Sequence, residues 1–151
     1  MILNIGDKVP DLNLKNENGE EFSFREMDKA FVIYFYPKDF THGCTKEACG
    51  FRDSYDDFRD LGAEVIGISS DSQESHSKFK AKHQLPFLLL SDPDKKARKA
   101  FGVKSSLLGL LPGRETFVFN KERELIYKFN SINSERHIEE ALSALRNNLQ
   151  K

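Results

Sequence analysis

The chain contains two cysteines, Cys44 and Cys49, and both lie in one short segment, residues 37–49. A run of strongly β-forming residues precedes this segment, and a helical pattern follows it. A cysteine at the start of a helix faces free backbone N–H groups and the positive end of the helix dipole, which favour thiolate over thiol. The arrangement therefore predicts sulfur chemistry centred on Cys44.

Several interpretations of the cysteine pair compete. Both residues can be ordinary core residues, because free cysteine is among the most buried residue types. A zinc site needs about four ligands, and only His42 lies close enough in sequence to join the two sulfurs. A dithiol exchange enzyme commonly carries Cys-x-x-Cys, whereas these cysteines are five residues apart. In a reducing compartment, a close pair is more often catalytic or metal-binding than structural.

The five-residue spacing has a geometric consequence. On an intact α-helix it places the two Cα atoms about 8.6 Å apart. A disulfide needs Cα atoms within about 4.4 to 6.8 Å of each other and Cβ vectors that converge. If both cysteines lie on one helix, at least its first turn must unwind before they can bond.

Composition limits the classes of partner. A chain of 151 residues predicts a single domain, residues 1–151, and a net charge of −1 gives no reason to expect nucleic acid. No apolar run approaches the roughly 20 residues of a membrane span, and the first residues lack the features of a signal peptide. These observations predict a cytoplasmic protein that binds neither nucleic acid nor membranes.

Predicted strands and helices alternate along the chain. The pattern predicts an N-terminal hairpin around residues 12–24, a doubly buried strand at 31–36, a helix from Thr45 to Leu61, and a strand at 63–69. A helix to about Gln84, a short strand at 87–90, and a helix from Ser91 through Phe101 follow. A hairpin and an amphipathic helix from Ser134 complete the chain. This order predicts an α/β fold of the thioredoxin-like type, with a central mixed sheet flanked by helices and an N-terminal β-hairpin extension.

At this level of detail the sequence resembles a known family. It is similar to peroxiredoxin Q, also called the bacterioferritin comigratory proteins, within the AhpC/TSA superfamily. The most specific signal is the Pro-x-x-x-Thr-x-x-Cys core together with a downstream Arg-x-Thr-Phe. The similarity covers nearly the whole chain and is carried by Tyr34–Asp39, Thr41–Asp53, Gly62–Ser69, Leu85–Phe87, Leu90–Asp92 and Leu111–Phe117.

The resemblance implies a role for each matching position. Cys44 matches the peroxidatic cysteine and Cys49 the resolving one, which form an intramolecular disulfide. Thr41 and Arg114 match the polar residues of the active site. The supporting positions are Pro37, which matches the shielding proline, and Glu47, which matches a glutamate that helps hold the arginine.

One position departs from the family pattern. His42 stands where the family usually has proline, so the loop loses a rigid φ and gains a titratable group near the thiolate. The simplest expectation for the four histidines is that all are solvated: His42, His76, His83 and His137.

The resemblance also implies a function. Members of such a family are thiol-dependent peroxidases that reduce hydrogen peroxide and organic hydroperoxides through a sulfenic acid. Thioredoxin or a similar dithiol is expected to recycle the oxidised enzyme. No metal, haem, flavin or other cofactor is implied, and an internal resolving Cys49 favours a monomer. The alternatives are a thioredoxin-fold dithiol–disulfide exchange protein acting on protein substrates, and a redox-sensing module whose unwinding exposes a binding surface.

A second feature precedes Arg114. The apolar stretch Ser105–Pro112 can bind the tail of an organic hydroperoxide, dock the reductant, or pack onto the core.

Overall fold

Strands and helices alternate along the chain as the sequence predicts. The computed structural model describes residues 3–103, 105–106, 111–112, 114–131 and 133–149. Within these residues the strands are β1 (Asn13–Asn16), β2 (Glu21–Ser23), β3 (Ala30–Phe35), β4 (Ala63–Ser69), β5 (Leu88–Ser91), β6 (Ser105–Ser106), β7 (Leu111–Pro112), β8 (Glu115–Phe119) and β9 (Leu125–Asn130). The α-helices are α1 (His42–Asp53), α2 (Tyr55–Asp60), α3 (Gln73–His83), α4 (Lys96–Phe101) and α5 (Ser134–Leu149).

Seven of these strands form one mixed sheet, in the order β2-β1-β5-β4-β3-β8-β9. Strands β3, β4 and β5 run parallel to one another. Strand β8 pairs antiparallel with β3 and β9, and the N-terminal hairpin β1–β2 joins the other side of the sheet through β5. The predicted central mixed sheet, flanked by helices and extended by an N-terminal hairpin, is confirmed.

Strand β3 lies inside the sheet, between β4 and β8, and is buried on both faces, which explains why its sequence shows no alternation. Alternate side chains of β3 point to opposite faces of the sheet. Those on one face pack with α1, α3 and α5, and those on the other face pack with α4. The first set consists of Val32, Tyr34 and the following Tyr36, and the second of Phe31, Ile33 and Phe35. The carboxyl end of β3 leads directly into the loop before Cys44.

The predicted helix from Thr45 to Leu61 is two helices. The first, α1, begins earlier than predicted, at His42, and the second, α2, begins after a break at Ser54. The break turns α2 so that Phe58 reaches the core and the Tyr55 hydroxyl donates to Glu64 Oε1 at 2.6 Å. Apolar periodicity did not reveal this change of direction.

Two further predictions concern the second half of the chain. Helix α4 is shorter than predicted, because it begins at Lys96 rather than near Ser91. In the apolar stretch 105–112, β6 pairs antiparallel with β7, and residues 107–110 lie outside the described residues, so the interpretations of that stretch stay predictions. Among the described helices, none has the length and apolarity needed to cross a membrane.

Candidate active site

Cys44 lies in the first turn of α1, the helix that follows β3 in the chain. Helix α1 follows Thr41, whose extended backbone occupies the N-cap position. The Cys44 side chain is only 1% exposed and is a free thiol. A sulfur in this position is near the unpaired N–H groups of the first helical turn while protein atoms shield it from bulk water.

The Arg114 guanidinium joins Cys44 to a buried carboxylate. Its Nη2 donates to Cys44 Sγ at 3.5 Å, and its Nη1 donates to Glu47 Oε1 at 2.5 Å. Cys44 and Glu47 are three residues apart on α1 and share one face, whereas Arg114 enters from the residue before β8. Gly43 makes room for this approach, because a Cβ there would lie 3.1 Å from Arg114 Nη2.

Burial and pairing act against each other in this ion pair. Burial raises the pKa of Glu47 from 4.5 to about 8, and Arg114 opposes that rise only in part. Burial also works to lower the pKa of Arg114, but Glu47 and Cys44 outweigh it and leave that pKa raised. The guanidinium therefore keeps its positive charge next to the sulfur at every physiological pH.

His137 on α5 lies near the same carboxyl group but makes no hydrogen bond to it. Its Nε2 donates to the Ser131 carbonyl at 2.7 Å, so its Nδ1 accepts from the Thr116 hydroxyl at 2.7 Å. This Nδ1 lies 3.9 Å from Glu47 Oε2, and burial lowers the pKa of His137 to about 4. The expectation that His137 is solvated was wrong: the ring is fully buried and neutral.

Pro37 and Thr41 both precede Cys44 in the loop between β3 and α1. The exposed Thr41 donates its hydroxyl proton to the Lys38 carbonyl at 2.9 Å, and Pro37 is half-buried at the end of β3. Thr41 stands in the N-cap position, but its side chain makes no capping hydrogen bond. Its hydroxyl is thus held by the loop rather than by the helix.

The loop before Cys44 is fixed at Asp39. The buried Asp39 carboxylate accepts from the Tyr36 hydroxyl at 2.5 Å, the Ser75 hydroxyl at 2.8 Å and His76 Nδ1 at 2.7 Å. His76 Nε2 also faces an acceptor, the Leu90 carbonyl, at 3.0 Å. Both ring nitrogens of His76 therefore face an acceptor, and the ring joins the loop to β5. The expectation that His76 is solvated was wrong.

Asp39 also belongs to the one cluster of potential metal ligands found among the described residues. Side-chain atoms of Asp39, Asp71 and His76 lie within 4.8 Å of one another. Hydrogen bonds already engage them, including one from the Asp39 backbone N–H to Asp71 Oδ2 at 2.7 Å. Because both ring nitrogens of His76 already face protein acceptors, this cluster fits a structural anchor better than a metal site.

Cys49 lies further along α1 in a different environment. It is half-buried and free, and its Sγ lies 3.8 Å from Nδ1 of the half-buried His83 on α3. Both cysteines lie on one continuous helix, so the helical spacing of about 8.6 Å between their Cα atoms applies. Of the remaining histidines, His42 is exposed as predicted.

The structure therefore brings together three of the residues selected from the sequence, Cys44, Glu47 and Arg114, and places Cys49 apart from them. Sequence reasoning missed the buried histidines His76 and His137 and the contact of His83 with Cys49. The positions of these histidines depend on how the helices pack, and no local sequence pattern around them predicts it.

The site thus consists of a thiol in the first turn of a helix beside an arginine that directly precedes β8. Residues 5–128 match the model of the AhpC/TSA family. The chain belongs to the AhpC/TSA family, and relatives about half identical to it place it in the peroxiredoxin Q group. The family predicted from the sequence is confirmed.

Two relatives illustrate the similarity. Chloroplastic peroxiredoxin Q of Sedum lineare is 50% identical over 144 residues, which cover 93% of this chain and 77% of the relative. Chloroplastic peroxiredoxin Q of Arabidopsis thaliana is 49% identical over 147 residues, covering 95% of this chain and 68% of the relative. At this level of identity the chain is a thiol-dependent peroxidase, an oxidoreductase.

Solved structures agree with the fold. Peroxidoxin BcpB from Mycobacterium tuberculosis superposes with a TM-score of 0.88 at 35% identity, covering 96% of this chain and 97% of that one. Xanthomonas campestris peroxiredoxin Q superposes with a TM-score of 0.86 at 32% identity, covering 97% and 96%. The predicted thioredoxin-like fold is therefore confirmed as well.

Proposed function

We propose that Cys44 is the peroxidatic cysteine and reduces hydrogen peroxide and organic hydroperoxides by direct displacement at oxygen. The Cys44 thiolate attacks the distal peroxide oxygen, the O–O bond breaks, and the leaving alkoxide or hydroxide takes a proton. Sulfur is oxidised to sulfenic acid and the peroxide is reduced to water or an alcohol. The observation that carries this proposal is the Arg114 guanidinium, which contacts Cys44 Sγ and Glu47 at once.

Each polar neighbour has a part in this step. Arg114 favours the thiolate and donates toward the oxygen on which negative charge develops. Glu47 fixes the guanidinium through Nη1, so that Nη2 stays directed at the sulfur. Thr41 gives its hydroxyl proton to Lys38, so its oxygen lone pairs are available to accept a hydrogen bond from the peroxide. Pro37 shields the sulfur from water.

Cys49 is the resolving cysteine of the proposal. Its thiol condenses with the sulfenic acid of Cys44 and forms an intramolecular disulfide. The helical spacing of about 8.6 Å exceeds the range of about 4.4 to 6.8 Å that a disulfide allows. The first turn of α1 therefore unwinds during each catalytic cycle and refolds after reduction.

Recycling of the disulfide requires an external dithiol. We propose thioredoxin or a similar dithiol protein, with this chain acting as a monomer and without a metal or organic cofactor. The compartment must supply such a reductant. The cytoplasm predicted from the sequence meets this requirement, and the similar plant proteins are named chloroplastic.

A coupled assay tests the proposal against the dithiol exchange alternative. With thioredoxin, thioredoxin reductase and NADPH, the protein should consume NADPH when hydrogen peroxide or an alkyl hydroperoxide is added, and Cys44→Ser should abolish this activity. The protein should not accelerate the reduction of insulin by dithiothreitol. Insulin reduction without peroxide turnover would contradict the proposal and favour the exchange protein.

A further inference from the structure

The contact between Cys49 and His83 has no part in the chemistry at Cys44. Cys49 Sγ lies 3.8 Å from His83 Nδ1, which is within the range of a hydrogen bond to sulfur. With its proton on Nε2, the neutral ring presents an Nδ1 lone pair to the thiol. A resolving thiol must lose its proton before or during its attack, so a base at this distance is chemically relevant.

The surroundings keep His83 in its neutral form. Burial lowers the pKa of His83, and the nearby charges of Lys82 and Arg52 lower it further. These two cations, Lys82 on the same helix and Arg52 on α1, are the charged groups that face the ring. The Phe79 ring makes an edge contact with the imidazole at 5.1 Å between centroids.

A second contact keeps Cys49 beside His83 while α1 unwinds. Arg52, three residues after Cys49 on α1, donates from Nη1 to the His83 carbonyl at 2.8 Å. This bond ties the last turn of α1 to the end of α3, whereas the first turn of α1 lies on the other side of Cys49. Unwinding from the N-terminal end can thus carry Cys44 toward a Cys49 that stays in place.

We propose that His83 is the general base for the resolving step, a role that rests on the assignment of Cys49 as the resolving cysteine. The Cys49 S–H bond breaks and His83 Nδ1 takes the proton. The freed electron pair forms the S–S bond with Cys44, the S–O bond of the sulfenic acid breaks, and hydroxide leaves. Hydroxide takes the proton from His83, so one water is released and the neutral ring is restored.

Rapid acid quenching followed by intact-mass analysis separates the two chemical steps. The sulfenic acid and the disulfide differ in mass, so the rate of each step can be followed in one experiment. In His83→Gln, disulfide formation should slow by about 10- to 100-fold, and the rate of sulfenic acid formation should not change. Lys78→Gln changes an exposed residue of the same helix, α3, and should leave disulfide formation at the wild-type rate.

The pH profile distinguishes a base from a packing residue. In the wild type, disulfide formation should slow as the pH falls through the pKa of His83, because the protonated ring cannot accept the Cys49 proton. In His83→Gln the break in the profile at the pKa of His83 should be absent, and the rate should follow the fraction of thiolate alone. Alkylation of Cys49 by iodoacetamide in the Cys44→Ser background should lose the same break when His83→Gln is added.

The outcomes separate this inference from the proposed function. If the wild type forms no Cys44–Cys49 disulfide, the proposed function itself fails. If it forms the disulfide and His83→Gln does so at the same rate and with the same pH profile, only the role of His83 is overturned. An equal slowing of both steps would also overturn it, because a structural defect would explain that result.

Discussion

Cys44 and Cys49 share one helix but have opposite surroundings. Cys44 is 1% exposed and lies beside a guanidinium that keeps its charge, whereas Cys49 is half-buried beside a titratable imidazole. In the proposed mechanism, the permanent cation favours a thiol that reacts as an anion. The neutral base beside Cys49 favours a thiol that gives up its proton when it attacks the sulfenic acid. In this proposal the two environments serve two successive steps.

The largest difference between the two sites should appear when each sulfur is removed. Cys44→Ser should lose peroxidase activity entirely, because no other described thiol is positioned beside Arg114. Cys49→Ser should retain a single fast turnover and then stop at the sulfenic acid. Single-turnover peroxide consumption measures both. Equal activity of Cys44→Ser and wild type would remove the distinction between the sites.

A change in the cation beside Cys44 should have the next largest effect. Arg114→Lys keeps the charge but loses the fork that reaches both Glu47 and the sulfur, so kcat/KM for peroxide should fall by about 100-fold. Arg59→Lys alters an exposed arginine on α2 and serves as the matched control. A fall of less than threefold for Arg114→Lys, similar to that of the control, would mean that guanidinium geometry does not contribute to catalysis.

Glu47 should make the stability of the protein depend on pH. Burial raises the pKa of Glu47 from 4.5 to about 8, so the folded chain holds a proton that the unfolded chain releases within this window. The stability that this proton contributes is complete below pH 4.5 and is lost as the pH rises toward 8. Glu47→Gln cannot ionise and should remove this slope, which is about 1.4 kcal/mol per pH unit for one proton.

Urea unfolding across this pH window measures the slope for each variant. The matched control is Glu74→Gln, which neutralises an exposed carboxylate on α3 that pairs with Lys78. Its pH slope should equal that of the wild type. Parallel curves for Glu47→Gln and wild type would show that Glu47 has the same pKa in the folded and unfolded chain.

The smallest effect should come from the unusual residue at the start of α1. His42 is the first helical residue, where proline costs no hydrogen bond and is pre-organised for the helix. His42→Pro should therefore stabilise the first turn by about 0.4 to 1 kcal/mol and slow disulfide formation a few-fold, since this turn must unwind. Lys46→Gln, another exposed residue of α1, is the control. Faster disulfide formation in His42→Pro would contradict the unwinding step.

Much of the molecule could be predicted from the sequence because its signals are local. The uninterrupted apolar run of β3 predicted a doubly buried strand, and the loop and helix after it predicted the position of Cys44. The break at Ser54 and the late start of α4 could not be predicted, because they depend on how each helix reaches the core.

The candidate site divides in the same way. The motif around Cys44 and the downstream Arg-Glu-Thr-Phe selected the residues that meet at the sulfur. The histidines had no such signal, since His76 and His137 are buried only because α3 and α5 pack onto the sheet. The contact of His83 with Cys49 depends on two helices that are distant in sequence, so only the folded structure could reveal it.

The central claim is that two cysteines on one helix become linked because its first turn unwinds. Non-reducing peptide mapping of the wild type after one equivalent of hydrogen peroxide tests it most directly, with hydrogen exchange measured on the same sample. We expect a Cys44–Cys49 disulfide within one chain and faster exchange at the start of α1 in the oxidised protein. A disulfide between two chains, or an intramolecular disulfide with unchanged exchange in α1, would contradict the account.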